Sequence, residues 1–355
     1  MGILKILTAL SITAAISPAC VKQVDVATRN EIPILVVEGS VTTDSVPYTV
    51  KLTYSGPVAY SDAIPDEYLE KDAEVTISDD LGNTTPLVYT TQGIYETTDP
   101  DYIGKVGRSY SVTVTLKDGK KYISKPEKIK PAVPISSVNV TFVYKFDMFY
   151  PTYLNVFIEA KDPAAEENYY RWTFYSWIMR QTPGEGCGFG CVRFEYCYLK
   201  YIDNEVRILS DADVNGNDIK NQTVGRCYIY TYGDPYVDIG QISMSREAYQ
   251  FWKAYQDQQT RTGGILDPLP AAIKGNVYNA ANNSDFALGY FSASSVTHRK
   301  VILVPYGITP YLLEISAKQF IPTDAGACYA YFPNSLNYPP FPPGWENAEK
   351  IPIYW

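Results

Sequence analysis

Apolar residues in the first third of the chain recur mostly at every second position. Ile34-Leu35-Val36-Val37-Glu38-Gly39 and Thr49-Val50-Lys51-Leu52-Thr53-Tyr54 are β-branched runs separated by Asp44 to Pro47, which predicts a first hairpin. Ala73 to Ser78 alternates, with Val75 and Ile77 on one face and Glu74 and Thr76 on the other, before Asp79-Asp80-Leu81-Gly82-Asn83 turns the chain. Gly93 to Thr97, Ser109 to Leu116 and Tyr122 to Ser124 add strands. Lys117-Asp118-Gly119-Lys120 is a hairpin signal, because Asp-Gly tolerates the positive φ angles of a tight primed turn. Short strands at this spacing, without a helical period, predict an immunoglobulin-like or carboxypeptidase-regulatory-like sandwich over 32–126.

From Lys125 to Pro134 three prolines interrupt the pattern. They cannot donate to a ladder, so a boundary is predicted there and a larger β-rich domain over 135–330. Strands are expected at Val138 to Phe142, Tyr153 to Ala160, Asp285 to Ser294, Lys300 to Val304 and Ile308 to Ser316. Asn168 to Tyr175 begins a long aromatic strand with bulky residues on both faces. That implies burial on both sides or a face offered to a ligand. Tyr169, Trp172, Tyr175 and Trp177 are the candidates for ligand contact, and alternate members share a face. One segment has a different period: Ala248, Phe251, Trp252 and Tyr255 form one stripe of a helix predicted over 245–261. Ser245 suits its N-cap, Glu247 its first turn, and Gly263-Gly264 its stop. The Pro- and Tyr-rich tail, 331–355, reads as extended. The fold class is therefore mostly β, an N-terminal immunoglobulin-like sandwich followed by a larger β-rich domain with one amphipathic helix.

Composition adds two points. The chain has 355 residues, a net charge of -9, and 32 Tyr beside a single His. The acidic balance, with no clustered Lys and Arg, excludes a phosphate-neutralising nucleic-acid surface. Abundant tyrosine suits half-buried strands and also wet recognition surfaces.

The first residues bear on compartment. Lys5 precedes an apolar run from Ile6 to Ile16, too short to span a bilayer, and Ser17-Pro18-Ala19-Cys20 follows. Residues 1–19 read as a lipoprotein signal peptide and Cys20 as the acylated first residue of the mature chain. Residues 20–31 then form a tether. Several acyl chains, at about 0.8 kcal/mol per buried methylene, would anchor the protein permanently.

Five further cysteines, Cys187, Cys191, Cys197, Cys227 and Cys328, are disulfide candidates in an exported chain, and spacing leaves their pairing open. A zinc site would want a fourth ligand near Cys187, Cys191 and Cys197, and His298 is distant in sequence. Ser210, Asp211, Asp213, Asn215, Asn217 and Asp218 alternate like calcium ligands, but no central Gly followed by a terminal bidentate Glu completes the pattern, so they read as a solvated loop. His298 reads as a strand-edge or turn residue, and no Gly-x-Ser-x-Gly elbow stands ready to partner it. No metal and no cofactor is expected, and no catalytic residue is assigned.

A resemblance narrows the class. Tyr249 and Trp252 on the helix, Gly263-Gly264, Asp267-Pro268, Pro270-Ala271, Lys274-Gly275-Asn276 and Leu288 to Ser294 are together similar to the signature of a family called domain of unknown function 4249. Asp162-Pro163 and Asn168-Tyr169-Tyr170 also resemble its pattern. The resemblance implies an outer-membrane lipoprotein of Bacteroidota, linked to TonB-dependent, energy-coupled β-barrel receptors in nutrient uptake. The family's activity is unassigned, so the role is our own reading: a non-enzymatic accessory subunit for binding or assembly, anchored through its lipid, with Lys22 and Asp25 behind Cys20 as the signal for the cell surface, and a glycan or peptide as possible ligand. A surface glycan or peptide hydrolase and a structural or adhesion component are the rival readings. Asp267, Gly275 and Asn276 read as architecture: a turn, a close backbone approach, and a side chain bonded within its own loop.

Overall fold

Alternation of buried and half-exposed residues marks strands such as Ile94–Thr97, Ser109–Thr115 and Tyr153–Lys161. The computed structural model describes residues 33–56, 64–143, 153–164, 166–183, 194–228, 233–260, 272–305 and 341–353. Residues 34–355 belong to one compact unit. The architecture is mostly β, with one α-helix among the described residues.

The N-terminal part contains β1 (Leu35–Thr42), β2 (Thr49–Tyr54), β3 (Glu74–Asp79), β4 (Thr84–Thr91), β5 (Ile94–Thr97), β6 (Ser109–Thr115), β7 (Lys121–Ser124) and the short β8 (Glu127–Lys128). The predicted first hairpin forms as an antiparallel pair, β1 with β2. The turn at Lys117 to Lys120 joins β6 to β7, with Gly119 at φ 86°. The strand β4 is not among those the sequence predicts, and Pro86 sits inside it. Pro86 lies opposite Thr76 of β3, and β5 begins its pairing with β4 only at Leu87.

The rest contains β9 (Ile135–Val143), β10 (Tyr153–Lys161), β11 (Tyr169–Pro183), β12 (Phe194–Ile202), β13 (Arg207–Ser210), β14 (Asp218–Tyr228), β15 (Tyr236–Met244), α1 (Arg246–Gln259), β16 (Lys274–Asn279), β17 (Asn282–Leu288), β18 (Phe291–Pro305) and β19 (Glu349–Ile353). Two of these strands complete the N-terminal sandwich. β16 pairs with β7, β17 with β16, and β1 runs parallel to β17, so pairing passes through β6, β3, β4, β5 and β2 and returns to β1. Closure removes the exposed edges that an open sheet would present. Inside lie Val37, Val50, Leu52, Ile77, Val112, Val114, Ala287 and Phe291, all out of water.

A second core lies between two sheets. β9, β10 and β14 form a three-stranded sheet whose Leu154, Val156 and Ile158 share a core with Tyr170, Trp172 and Phe174 of β11, Ile239 of β15, and Val301 and Leu303 of β18. β18 links the two halves: its first residues pair with β1, Ser295 to Ile302 pair with β15, and its last residues run parallel to β19. The extended tail thus ends as a strand on the sheet.

The proline-bearing stretch between the halves is packed. Glu127 and Lys128 pair with β6, Ile129 is buried in the first core and Val133 in the second, and the Val133 carbonyl accepts from Gln241 and Thr297. Ile308 to Ser316, Gly263-Gly264 and Asp267 fall outside the described residues.

Candidate functional site

The long strand β11 sets the site. Tyr170, Trp172, Phe174, Ser176 and Ile178 are buried toward the three-stranded sheet, while Arg171, Thr173, Tyr175 and Trp177 are half-buried on the opposite face. That second face receives α1. Ser245 caps the helix as expected, its Oγ accepting from Ala248 N–H at 3.0 Å. Ala248 is buried against the sheet, Phe251 and Trp252 are half-buried, and Tyr255 is 39% exposed. Gln256 Nε2 donates to the Val206 carbonyl at 2.7 Å, holding the far turn over the approach to β13.

Tyr249 rests on Tyr169 with ring centroids 5.0 Å apart, and one turn on Trp252 rests on Arg171, whose guanidinium carbon lies 3.7 Å from the ring centroid. Arg171 is the unusual member. Its Nε is shut off from water without a hydrogen-bond partner, and no carboxylate pairs with the guanidinium among the described residues. Burial pulls its pKa down to about 10, and the phenols of Tyr175 and Tyr255 oppose that shift. Past the helix the same face continues with Tyr175 and Trp177, ring centroids 6.4 Å apart. The exposed Lys200 of β12 reaches across both, its Nζ 4.0 Å from the Tyr175 centroid and 5.3 Å from that of Trp177. Trp177 in turn packs edge-on against Tyr236.

Of the four aromatic ligand-contact candidates, then, Tyr169, Tyr175 and Trp177 share this face. Trp172 does not. It is a core residue, 3% exposed, whose Nε1 donates to Gln241 Oε1 at 2.9 Å. Tyr169 lies under the helix, lines a cavity of about 510 Å³ with Asp211 and Tyr249, and donates its hydroxyl to Glu167.

On the other flank of α1 a cavity of about 550 Å³ is lined by Lys125, Glu127, Ser245, Phe251, Lys274, Gly275 and Tyr290. Glu127, 5% exposed, accepts hydrogen bonds from the hydroxyls of Ser245 and Tyr290. Burial raises its pKa, and those two donors oppose the rise. Its place among prolines hid it from sequence reasoning. Tyr290 and Lys274-Gly275-Asn276 belong to the signature region, where Gly275 and Asn276 read as architecture and not as part of a site.

His298 lies within β18 opposite Gly240 of β15, not at a turn. Its Nδ1 is 2.7 Å from Asp238 and its Nε2 3.1 Å from Asp44, and these two hydrogen bonds raise its pKa to about 9. With both ring nitrogens engaged and the imidazole protonated at neutral pH, it has no lone pair to act as a general base.

Cys227 is a free thiol, wholly buried in the second core, so it is not a bridge partner; burial lifts its pKa to about 12. Cys197 is buried on β12. Cys20, Cys187, Cys191 and Cys328 lie outside the described residues. The Asp- and Asn-rich loop has internal work: Asp211 accepts from Asn168 N–H at 2.7 Å, and Asp162 accepts from the Tyr170 hydroxyl and from Gly216 N–H. Asn276 differs from the expectation of a self-contained loop, since its amide exchanges two hydrogen bonds with the Phe291 backbone on β18.

The model of a family described as a domain of unknown function, DUF4249, matches residues 21–300. No curated protein matches the chain.

Proposed function

Taking as premise that this chain belongs to the DUF4249 family, we propose that it is a non-enzymatic binding subunit, held at the outer membrane by acyl chains on Cys20 and working beside a TonB-dependent β-barrel receptor in nutrient uptake. The observation that supports binding is the face of β11 and β12: an unpaired guanidinium stacked on Trp252, continued by Tyr175, Trp177 and Lys200. Such a surface offers ring area at low entropic cost, together with cations that have no carboxylate partner among the described residues.

A hydrolase is the weaker reading. The single histidine is clamped between two carboxylates and carries its proton at neutral pH, which removes the usual base for a serine or cysteine nucleophile. In an exported chain Cys197 would pair with one of Cys187, Cys191 and Cys328, leaving Cys227 reduced.

Mild detergent extraction of the native, acylated protein tests the reading. Co-extraction of a β-barrel receptor in fixed ratio, with a diacylated Cys20 at the mature N-terminus by mass spectrometry, is the expected result. An unacylated N-terminus, or turnover of a glycan or peptide by the purified chain alone, would overturn it.

A further inference from the structure

We propose that Arg171 and Lys200, with the rings of Trp252, Tyr175 and Trp177, form a site for a carbohydrate that carries a carboxylate. The argument begins with the cation. Arg171 stacks on Trp252 at 3.7 Å, so its planar fork is held in one orientation rather than swinging in solvent. Its Nε is buried without an acceptor, and no carboxylate of the described residues pairs with it. The Nε donor costs free energy in that state, while the two terminal nitrogens of the fork are not among the buried, unpartnered atoms and match a carboxylate bidentately. Lys200 is likewise without an ion pair among the described residues, and its ammonium lies over Tyr175 and Trp177. In a chain of net charge -9, two cations on one aromatic face without a carboxylate partner among the described residues favour an anionic ligand.

The rings indicate what carries the charge. Tyr175 and Trp177 stand side by side on a half-buried strand face, with centroids 6.4 Å apart, and the C–H face of a sugar ring packs on such surfaces while its hydroxyls stay wet. A peptide read by strand addition would need a free edge. Here the backbone from Tyr175 to Trp177 is paired on both sides, with β12 and with β15, so only side chains are available to the ligand.

The inference rests on the binding-subunit reading above, but it is tested separately. The full-length protein is titrated with an oligogalacturonate, with its methyl-esterified form, and with an acidic peptide, following tryptophan fluorescence and calorimetric heat. The acidic sugar is expected to bind, the ester to bind at least about tenfold more weakly, and Arg171→Gln to lose about tenfold or more in affinity for the acid only. Lys200→Gln, at an exposed position that leaves folding intact, should weaken the acid severalfold and so decides the matter if Arg171→Gln misfolds. Equal binding of acid and ester, preference for the peptide, or no binding at all would overturn the proposal. Receptor co-extraction without sugar binding would refute this inference alone, whereas sugar binding without a receptor would refute the receptor partnership and leave the site standing.

Discussion

His298 on β18 lies 3.1 Å from the carboxylate of Asp44, 254 residues earlier in the chain, and so joins the loop between β1 and β2 to the sheet of the other half. Asp238, at 2.7 Å from the other ring nitrogen, completes the clamp. The geometry fixes a sign. The pKa in the folded protein is about 9, above the ordinary 6.5, so the folded state holds the proton longer than the unfolded one. The clamp's contribution is fully present below pH of about 6.5 and is lost as pH rises through about 9. Melting curves of the native protein and His298→Gln should therefore differ most near pH 6 and converge near pH 10. A difference that stays constant across that range would show that the clamp does not hold.

Ser245 serves two partners, Ala248 N–H of its own helix and the buried Glu127. Ser245→Ala removes an N-cap, worth about 1 kcal/mol, and takes a donor from a buried carboxyl, a further cost on the order of 1 to 3 kcal/mol. The two losses carry different pH dependence. Because burial already raises the Glu127 pKa, stability falls as pH climbs through that value, and loss of the Ser245 donor pushes the pKa higher still. Urea midpoints at pH 5 and pH 8 should show a larger deficit for the variant at pH 8. An equal deficit at both would assign the whole effect to the cap.

Cys227 should behave as a hidden thiol. With its pKa lifted to about 12 and no surface exposed, it should resist iodoacetamide at pH 8 in the folded protein and react once the chain is unfolded in urea. Peptide mapping after each treatment reads this directly. Rapid labelling in native buffer would mean that the core around Leu154 and Phe174 opens readily.

Local signals carried much of the fold. Ser245, the stripe of Ala248, Phe251 and Trp252, and the Asp118-Gly119 turn each act within a few residues, and the structure has each where the pattern predicts it. Pairings that depend on distant partners were not legible. β1 finds β17 and β18 in parallel, and no spacing within residues 35–42 announces strands from 282–305. The aromatic strand was ambiguous for a related reason. Period two assigns residues to two faces but does not say which face is the core when both are bulky, so Trp172 was grouped with Tyr175. Arg171 is hidden among rings in the sequence, although a cation inside an aromatic strand is the signal that points to this face. Glu127 was masked by the prolines on either side of it.

The tightest approach in the signature region is Gly275 against Gly289. A Cβ on Gly275 would stand 1.6 Å from the Gly289 carbonyl oxygen, and Gly289, at φ 80°, itself sits where a Cβ would meet the Val37 carbonyl at 2.4 Å. Three backbone segments, from β16, the β17–β18 elbow and β1, meet there without room for a methyl group, and the obstructing atoms are main chain that no rotamer change can move. Gly275→Ala should therefore cost at least the ~3 kcal/mol upper end of ordinary overpacking. Gly82→Ala is the control. Unlike Gly275, Gly82 has a positive φ, 84°, and nothing lies within 4 Å of its Cβ position, so it serves as a contrast in which only backbone strain of about 1 to 2 kcal/mol is expected. Urea denaturation of both variants separates steric exclusion from conformational strain. If Gly275→Ala proves no worse than Gly82→Ala, the three segments do not converge as described, and the join between the N-terminal sandwich and the strand that carries His298 would have to be redrawn.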